Sequence, residues 1–415
     1  MEKYDVIVIG GGFAGSAAAL AAARGGAKVM LIERINCLGG APATQYINPF
    51  MKYSTQMPDG TKYLSRGIFE ELVNAMRDMG AMYNNSFNPE YLKLILDRKM
   101  VEAGVELLYN TTLVSAKREG NTVKSVAVTN KSGVTEYEAD YFIDCTGDAD
   151  LAYDAGFECK LGRPEDNLCQ PMTLCFLIGG VDPEKFEKYH YGIVDLWLDE
   201  KKKGKIKNPM DGIMVFHSTI PGIVRLNATR VVKRNPVDAK DVTLADIEAR
   251  EQCFELLEFL RNRVDGFQNA NIISTAPQTG VRESRMIVGE YVLTGEDLVN
   301  CVKFDDAIAC GNYDIDIHNP EGSGTSHYFF KNGLYYTIPY RCLIPKGADN
   351  LLVAGRCIST THEAQASIRI MAIVCTLGEA AGTAAAIAKK TSSRVADISI
   401  GELRSTLKSN NACVD

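Results

Sequence analysis

No two of the twelve cysteines are spaced C-x-x-C, and no short spacing repeats among them. That disfavours a disulfide framework or a zinc site, and free thiols in a reducing cytoplasm are expected instead. Positive charge is not in excess either: 45 Lys and Arg stand against 52 Asp and Glu, a net charge of −7. A surface of that sign argues against a nucleic-acid partner, whose phosphates call for cations. The one basic run, Lys201-Lys202-Lys203-Gly204-Lys205, follows Asp199-Glu200 and reads as a solvated loop. No signal peptide is visible, because Met1-Glu2-Lys3 leads straight into an apolar strand. The apolar stretch near 370–387 carries Glu379 and several glycines, so a buried helix is expected and not a membrane span. Internal repeats and low-complexity segments are missing. What remains is a chain of 415 residues, 46% hydrophobic and 23% charged. Such a chain reads as a globular protein of the cytoplasm, and it is long enough for two or three lobes.

The most informative stretch is Tyr4–Arg34. YDVIVIG is a short buried strand, Gly10-Gly11-Gly12-Phe13-Ala14-Gly15 fits G-x-G-x-x-G, and Ala14–Arg24 is an Ala-rich helix. A second apolar run, KVMLI, stops at Glu33, eighteen residues after Gly15. Each part has a task in binding a dinucleotide. Gly10 allows the tight turn, Gly12 lets backbone approach a pyrophosphate, and Gly15 lets helix and sheet pack closely. The helix N-terminus offers free N–H groups and a positive dipole end to the anion. Glu33 accepts hydrogen bonds from a ribose, and its neighbour Arg34 is counted with the site.

Three further segments bear on which dinucleotide is bound. Cys37-Leu38-Gly39-Gly40-Ala41 provides a second glycine pair whose amides suit the far side of an elongated diphosphate. Asp140–Leu151, DYFIDCTGDADL, ends a strand at Thr146-Gly147-Asp148, where backbone again nears a ligand. Ahead of it, 104–116 and 122–129 read as strands around the turn Glu119-Gly120-Asn121, a β-meander inserted into a doubly wound sheet. Lastly, Leu351–Ala354 is a buried strand ended by Gly355-Arg356, and a long helix of small residues is expected to begin near Ser367. Its N-terminal dipole suits an anionic ring.

Together these segments resemble the glutathione-reductase-like class of FAD-dependent flavoproteins, and more narrowly the bacterial group of FAD-dependent oxidoreductases. The resemblance extends through Thr279–Arg285 (TGVRESR), Ile338–Leu343 (IPYRCL) and Ala354–Arg369. It implies non-covalent FAD, with the ADP half at Gly10–Gly15 and Glu33 and with Leu113 beside the adenine. Gly355-Arg356 would then lie by the pyrophosphate and ribityl chain, and Ile368 by the ring. Disulfide reductases of the class carry a C-x4-C pair at this point, but here Cys37 is followed five residues later by Pro42. Cys37 remains only a candidate for contact with flavin or substrate. A second G-x-G-x-x-G is also missing, so no separate nicotinamide domain is expected and the electron donor or acceptor is unidentified.

The expected architecture is α/β. A Rossmann-like FAD-binding domain with its meander takes residues 1–160 and 335–400. An α+β substrate domain with an antiparallel sheet takes 161–334, with 275–294 able to return to the first domain, and 401–415 is a tail. In the substrate domain, Met172–Ile178 and Ile213–Phe216 are short runs suited to the floor of a pocket. The segment 241–264 has helical spacing at Ile247, Phe254, Leu257 and Leu260, with Thr243 and Asp246 suited to cap it.

Redox chemistry on a carbon centre also needs a proton carrier near the flavin. His362 follows the Gly355-Arg356 turn, and His327 follows the Gly322-Ser323-Gly324 loop, so these two are the primary candidates. The Tyr335-Tyr336 pair is a further candidate. His190 reads as a surface residue, while His217 and His318 suit either role. Arg282, Arg285, Arg341 and Arg369 are candidate anion anchors. The leading expectation is hydride transfer between flavin N5 and a small polar metabolite, by CH–OH dehydrogenation or by reduction of an activated C=C bond. A thiazole-synthase-type enzyme acting on a bound dinucleotide is an alternative, as is a flavin-bearing electron-transfer subunit. No metal and no membrane partner are expected, and homo-oligomerisation is left open.

Overall fold

The computed structural model describes residues 3–189 and 192–415. Strand β1 (Lys3–Ile9) leads into helix α1 (Phe13–Arg24) and strand β2 (Val29–Ile32), and helix α2 (Ile68–Asp78) follows further along. Strands β3 (Glu106–Leu108), β4 (Thr112–Glu119), β5 (Thr122–Asn130) and β6 (Gly133–Asp144) complete most of a seven-stranded sheet. β3, β2, β1 and β6 pair in parallel, and the short strand Leu351–Val353 joins β6 in the same sense. One face of this part packs against helices and the other against the meander residues Val123, Val126 and Val128 and the segment 149–155, which is why Val6–Ile9 and Val29–Ile32 are unbroken apolar runs. The first half of β6 turns aside and pairs antiparallel with β5, and β5 with β4, which is the meander.

The stretch 104–116 is not one strand. Asn110 has φ 52° and interrupts the extended backbone, so residues before it form the parallel edge β3 while those after it open the meander as β4.

A second, antiparallel sheet is built from β7 (Phe176–Gly179), β8 (Met214–His217), β9 (Val224–Asn227) and β10 (Asn271–Thr275) in the order β8-β9-β7-β10. Helix α3 (Ala239–Arg263) covers one face, where Val224 and Leu226 pack against Ala245, Ala249, Leu256 and Leu260. Alternate residues Phe216, Arg225 and Asn227 instead border a large cavity. Two details of α3 differ from expectation. Its N-cap is Asp238, which accepts from Lys240 N and Asp241 N, while Thr243 bonds back to Ala239 within the helix and Asp246 to the Thr279 hydroxyl. Ile247 and Phe254 lie outside the buried stripe and are exposed.

Strand Arg285–Ile287 pairs with Cys159–Leu161, and Ile287 N donates to Cys357 O, so this part of the chain lies beside the Gly355-Arg356 turn. The hairpin β11 (Ile315–His318) and β12 (Thr325–Tyr328) carries the Gly322-Ser323-Gly324 segment in its connection. The last fifteen residues are not a loose tail, because helix Ile400–Ser409 buries Leu403 and Leu407.

The long C-terminal helix begins later than Ser367. Helix α4 (His362–Ile368) ends at Arg369, Ile370 is extended at ψ 148°, and helix α5 (Met371–Thr391) starts anew. By length and apolarity α5 could cross a membrane, yet its apolar window is fully buried inside the protein. It lies directly on α1. A Cβ at Gly378 would stand 2.0 Å from Ala14 O, and one at Gly382 2.1 Å from Ala18 O.

Next to Gly378 on α5, Glu379 Oε2 accepts from Ile68 N at the start of α2 (3.0 Å). Burial pushes this carboxyl up to about 7. The unfolded chain releases the proton near the ordinary carboxyl value, so native stability is lost as pH rises from there through about 7. Glu379→Gln keeps an acceptor that cannot ionise. Its melting temperature relative to wild type should therefore be higher at pH 8 than at pH 5, and an offset equal at both values would show that the carboxyl titrates normally.

Candidate functional site

A single cavity of about 1310 Å³ runs from the β1–α1 turn to the uncovered face of the second sheet. At its near end the wall is largely backbone. Gly10 has φ 97°, and a Cβ there would lie 2.4 Å from Cys145 O. Gly15 is fixed by contact, since its Cβ would meet Gly10 O at 1.7 Å. Gly12 is the opposite case: a Cβ would find only Gly40 Cα, 3.9 Å away, so the peptide faces open space at the start of α1. Gly39 N donates to Gly11 O (2.8 Å), which ties the second glycine pair to the first.

Glu33 stands at the end of β2. Its Oε2 accepts from Gly11 N (2.5 Å) and its Oε1 from Ile35 N (3.0 Å), while burial raises its carboxyl above the ordinary range. Across the cavity, Asp148 pairs with Arg356, whose charge holds the buried Asp148 carboxyl low even though burial works against ionisation. Arg356 Nε is buried and has no partner among the described residues. An orphaned cationic donor and an open helix N-terminus suit a diphosphate, and a carboxylate at a strand end suits a ribose.

Phe13, Ala14, Arg34, Gly40, Ala41, Leu113, Thr146, Gly147 and Gly355 join Gly10, Gly12, Glu33, Asp148 and Arg356 on the wall. Three expected residues do not line it. Gly15 and Gly39 act from behind through the contacts above, and Ile368 is buried at the end of α4. The break at Ile370 turns the start of α5 to the cavity, so Ile370, Met371 and Val374 line it.

The far end combines apolar side chains, Met210, Ile213, Met214 and Phe216 among them, with a charged cluster. His327 on β12 sets Nδ1 3.4 Å from Asp314 Oδ2 and 3.7 Å from Asp316 Oδ1, and its ring stacks on Phe329. His318 on β11 has Nε2 3.3 Å from Asp316 Oδ2 and Nδ1 3.3 Å from the Thr325 hydroxyl. Burial, with Arg282 and Arg369 nearby, pushes the His318 imidazole down to about 3 and keeps it neutral. Burial works against ionisation of Asp316, but His318, Arg369 and His327 hold its carboxyl well below the usual range. Arg369 Nη2 lies 3.4 Å from Asp316 Oδ2. Arg282 donates to Pro171 O (2.7 Å) and to the Thr173 hydroxyl, and burial lowers its guanidinium to about 10.

Several expected groups lie elsewhere. His362 is 6% exposed and off the cavity wall, and its Nδ1 bonds Glu283 Oε1 at 2.7 Å. Burial alone would lower its basicity, but Glu283 raises it, as in a structural ion pair. Tyr336 is fully buried, with its hydroxyl 2.6 Å from Ser367 Oγ, and is also off the wall. Arg341 pairs with Asp306 away from the cavity, whereas Arg285 lines it but is bound to Asp148 O and Asp150. Cys37 is buried behind the wall, where burial raises its thiol. His217 packs beside Phe186 outside this cavity, and His190 lies outside the described residues. Sequence reasoning missed Asp314 and Asp316. The alternation Asp314-x-Asp316-x-His318 ahead of the hairpin turn was the available signal.

Residues 5–407 match the family model described as FAD dependent oxidoreductase. Among curated proteins, the chain is 32% identical over 204 residues to digeranylgeranylglycerophospholipid reductase 2 of Methanothermobacter thermautotrophicus, which covers 45% of this chain and 50% of that one. It is 33% identical over 231 residues to protein FixC of Azotobacter vinelandii, 51% of each chain. The chain thus spans about half the length of these curated relatives. Among solved structures, p-nitrophenol 4-monooxygenase from Pseudomonas putida superposes over 96% of this chain and 83% of its own, with TM-score 0.50 and 10% identity, a likeness of fold.

Two substitutions test the near end. Gly12 has φ −66°, open to any residue, so Gly12→Val should fold but leave no room for phosphate. The purified variant should be colourless with a cooperative melting transition, and stoichiometric FAD in it would show the motif misread. Glu33→Ala removes two acceptor oxygens and should weaken FAD binding by about 1–3 kcal/mol. Unchanged affinity in a titration of FAD into apoprotein would place the ribose elsewhere.

Proposed function

The chain belongs to the family of FAD dependent oxidoreductases, with FAD as its cofactor, and we propose that it moves a hydride between flavin N5 and a small polar metabolite at the far end of the cavity. FAD, when bound, supplies the two-electron hydride donor or acceptor. The residues that hold it are those of the near end: Gly12 and the start of α1, Gly40, Glu33, Leu113, Asp148 and Arg356.

The chain's own chemical part is the proton. His327 carries it, and the observation behind that reading is its orientation. Nδ1 faces Asp314 and Asp316, which leaves Nε2 as the nitrogen that exchanges a proton with substrate. In CH–OH dehydrogenation Nε2 accepts the hydroxyl proton, and in reduction of an activated C=C bond it delivers a proton to carbon. His318, held neutral between Asp316 and Thr325, positions Asp316 and does not titrate in the working range. Arg282 anchors a polar substrate group beside Thr173. The first turn of α5 directs its dipole at the cavity and favours negative charge there.

One of the relatives is named as a reductase of a lipid, which supports the reductive direction. The arginines, aspartates and histidines of the far wall support a substrate with a polar group. The electron donor or acceptor that completes the cycle is a separate molecule.

The test is stopped-flow bleaching of the flavin by a small polar compound selected in a screen against the wild-type protein. His327→Gln should retain FAD and its spectrum while bleaching about 10²–10⁴-fold more slowly. His362→Gln, altered off the cavity, should bleach within a few-fold of wild type. Equal rates for His327→Gln and wild type would remove His327 from proton transfer.

A further inference from the structure

Resting on the reading of the far end as the substrate site, we infer that the substrate carries a carboxylate and that Arg225 is the residue that recognises it. Arg225 stands on β9, between the core residues Val224 and Leu226, so the alternation of the strand directs it to the cavity wall and not to α3. It is 1% exposed. Its guanidinium lies over the Phe216 ring, 4.1 Å from the centroid, and Nη1 meets Cys175 Sγ at 3.7 Å. Nε and Nη2, however, have no hydrogen-bond partner among the described residues.

These two nitrogens form the side-on edge of a guanidinium, whose parallel N–H bonds match both oxygens of one carboxylate. An unpaired fork on a buried cation is costly, and burial already lowers this guanidinium's affinity for its proton. Other arginines of the wall differ in having protein partners: Arg282 donates to Pro171 O and the Thr173 hydroxyl, and Arg369 to Ala366 O and Asp316. A second unmatched donor lies on the same wall. Arg230 Nε is buried without a partner among the described residues, while its Nη2 donates to Asn319 O (3.0 Å) and Gly324 O (2.7 Å). Those two bonds tie Arg230, five residues after Arg225, to the connection of the hairpin whose strands hold His318 and His327. A phosphate also presents two oxygens to such a fork, so the titration below sets the carboxylate against it.

The experiment uses the FAD-loaded protein and follows the visible flavin bands and the melting temperature. Titrants are acetate, succinate and benzoate, each against its neutral amide, with inorganic phosphate as the tetrahedral anion. We expect at least one carboxylate to perturb the bands saturably and raise the melting temperature, at least tenfold more tightly than its amide or phosphate. Arg225→Met should lose that binding at least tenfold, while its own melting temperature without ligand stays level with wild type or rises, because an unpaired buried cation has been removed. Arg225→Lys, which keeps charge but not the fork, should recover little of the binding. Equal binding of carboxylate and amide, tighter binding of phosphate, or a destabilised Arg225→Met that still binds carboxylate would each overturn the inference. The outcome is separable from that of His327→Gln. Failure of that variant to slow bleaching removes the proton assignment without touching carboxylate affinity, which is measured without turnover.

Discussion

Gly378 and Gly382 bring helix α5 onto helix α1 so closely that Ala14 O and Ala18 O stand where side chains would otherwise be. Glycine in a helix interior costs about 1 kcal/mol relative to alanine, and the dense contact of two small-residue helices offsets it through dispersion. The consequence reaches the site at once. Ala14 lines the cavity in the first turn of α1, and Met371 and Val374 line it in the first turn of α5. Two segments more than three hundred residues apart in sequence are thus held at one separation by backbone contact, which no side-chain rotation can relax. The near end of the cavity inherits that rigidity, with Gly15 fixed against Gly10 and the second glycine pair tied to Gly11.

The two ends of the cavity differ in how they handle charge. The near end offers open backbone at the start of α1 and the Arg356 guanidinium. At the far end, charge sits on side chains projecting from antiparallel strands and a hairpin, buried enough for electrostatics to be strong. There the neighbours separate the protonation states: Asp316 is kept ionised and His318 neutral. His327 is more accessible than either, which suits a group that exchanges protons with a bound molecule. The unmatched edge of Arg225 belongs to the same logic, since a site kept ready for a charged ligand leaves some of its own polar groups unsatisfied.

Much of the near end was legible in residue order. The G-x-G-x-x-G turn, the acid ending β2, the meander and the second sheet with its covering helix all rest on turn chemistry and on periods of two or 3.6 residues. These are properties of neighbours in the chain. The expectations that failed were those in which packing chose between local options. The stretch 104–116 carries strand-forming residues throughout, yet Asn110 divides it between two parts of the sheet. The helix expected from Ser367 breaks at Ile370, because only a new start there can lie on α1 and still open toward the cavity.

The far end was least legible, and the histidines show why. His362 and His327 are equally plausible in sequence, each beside a glycine-containing turn. Glu283, seventy-nine residues away from His362, captures it in the interior, while the hairpin presents His327 beside Asp314. No local pattern distinguishes the two, since what separates them is a partner brought by the fold. Arg225 is likewise one of many arginines in sequence, and its character comes from a strand position whose alternate residues face the core. Residue order therefore accounts for the cofactor class and the fold, which depend on short-range backbone geometry. Which charged groups face the cavity was decided by long-range packing, because charge chemistry depends on what lies within a few ångströms in space.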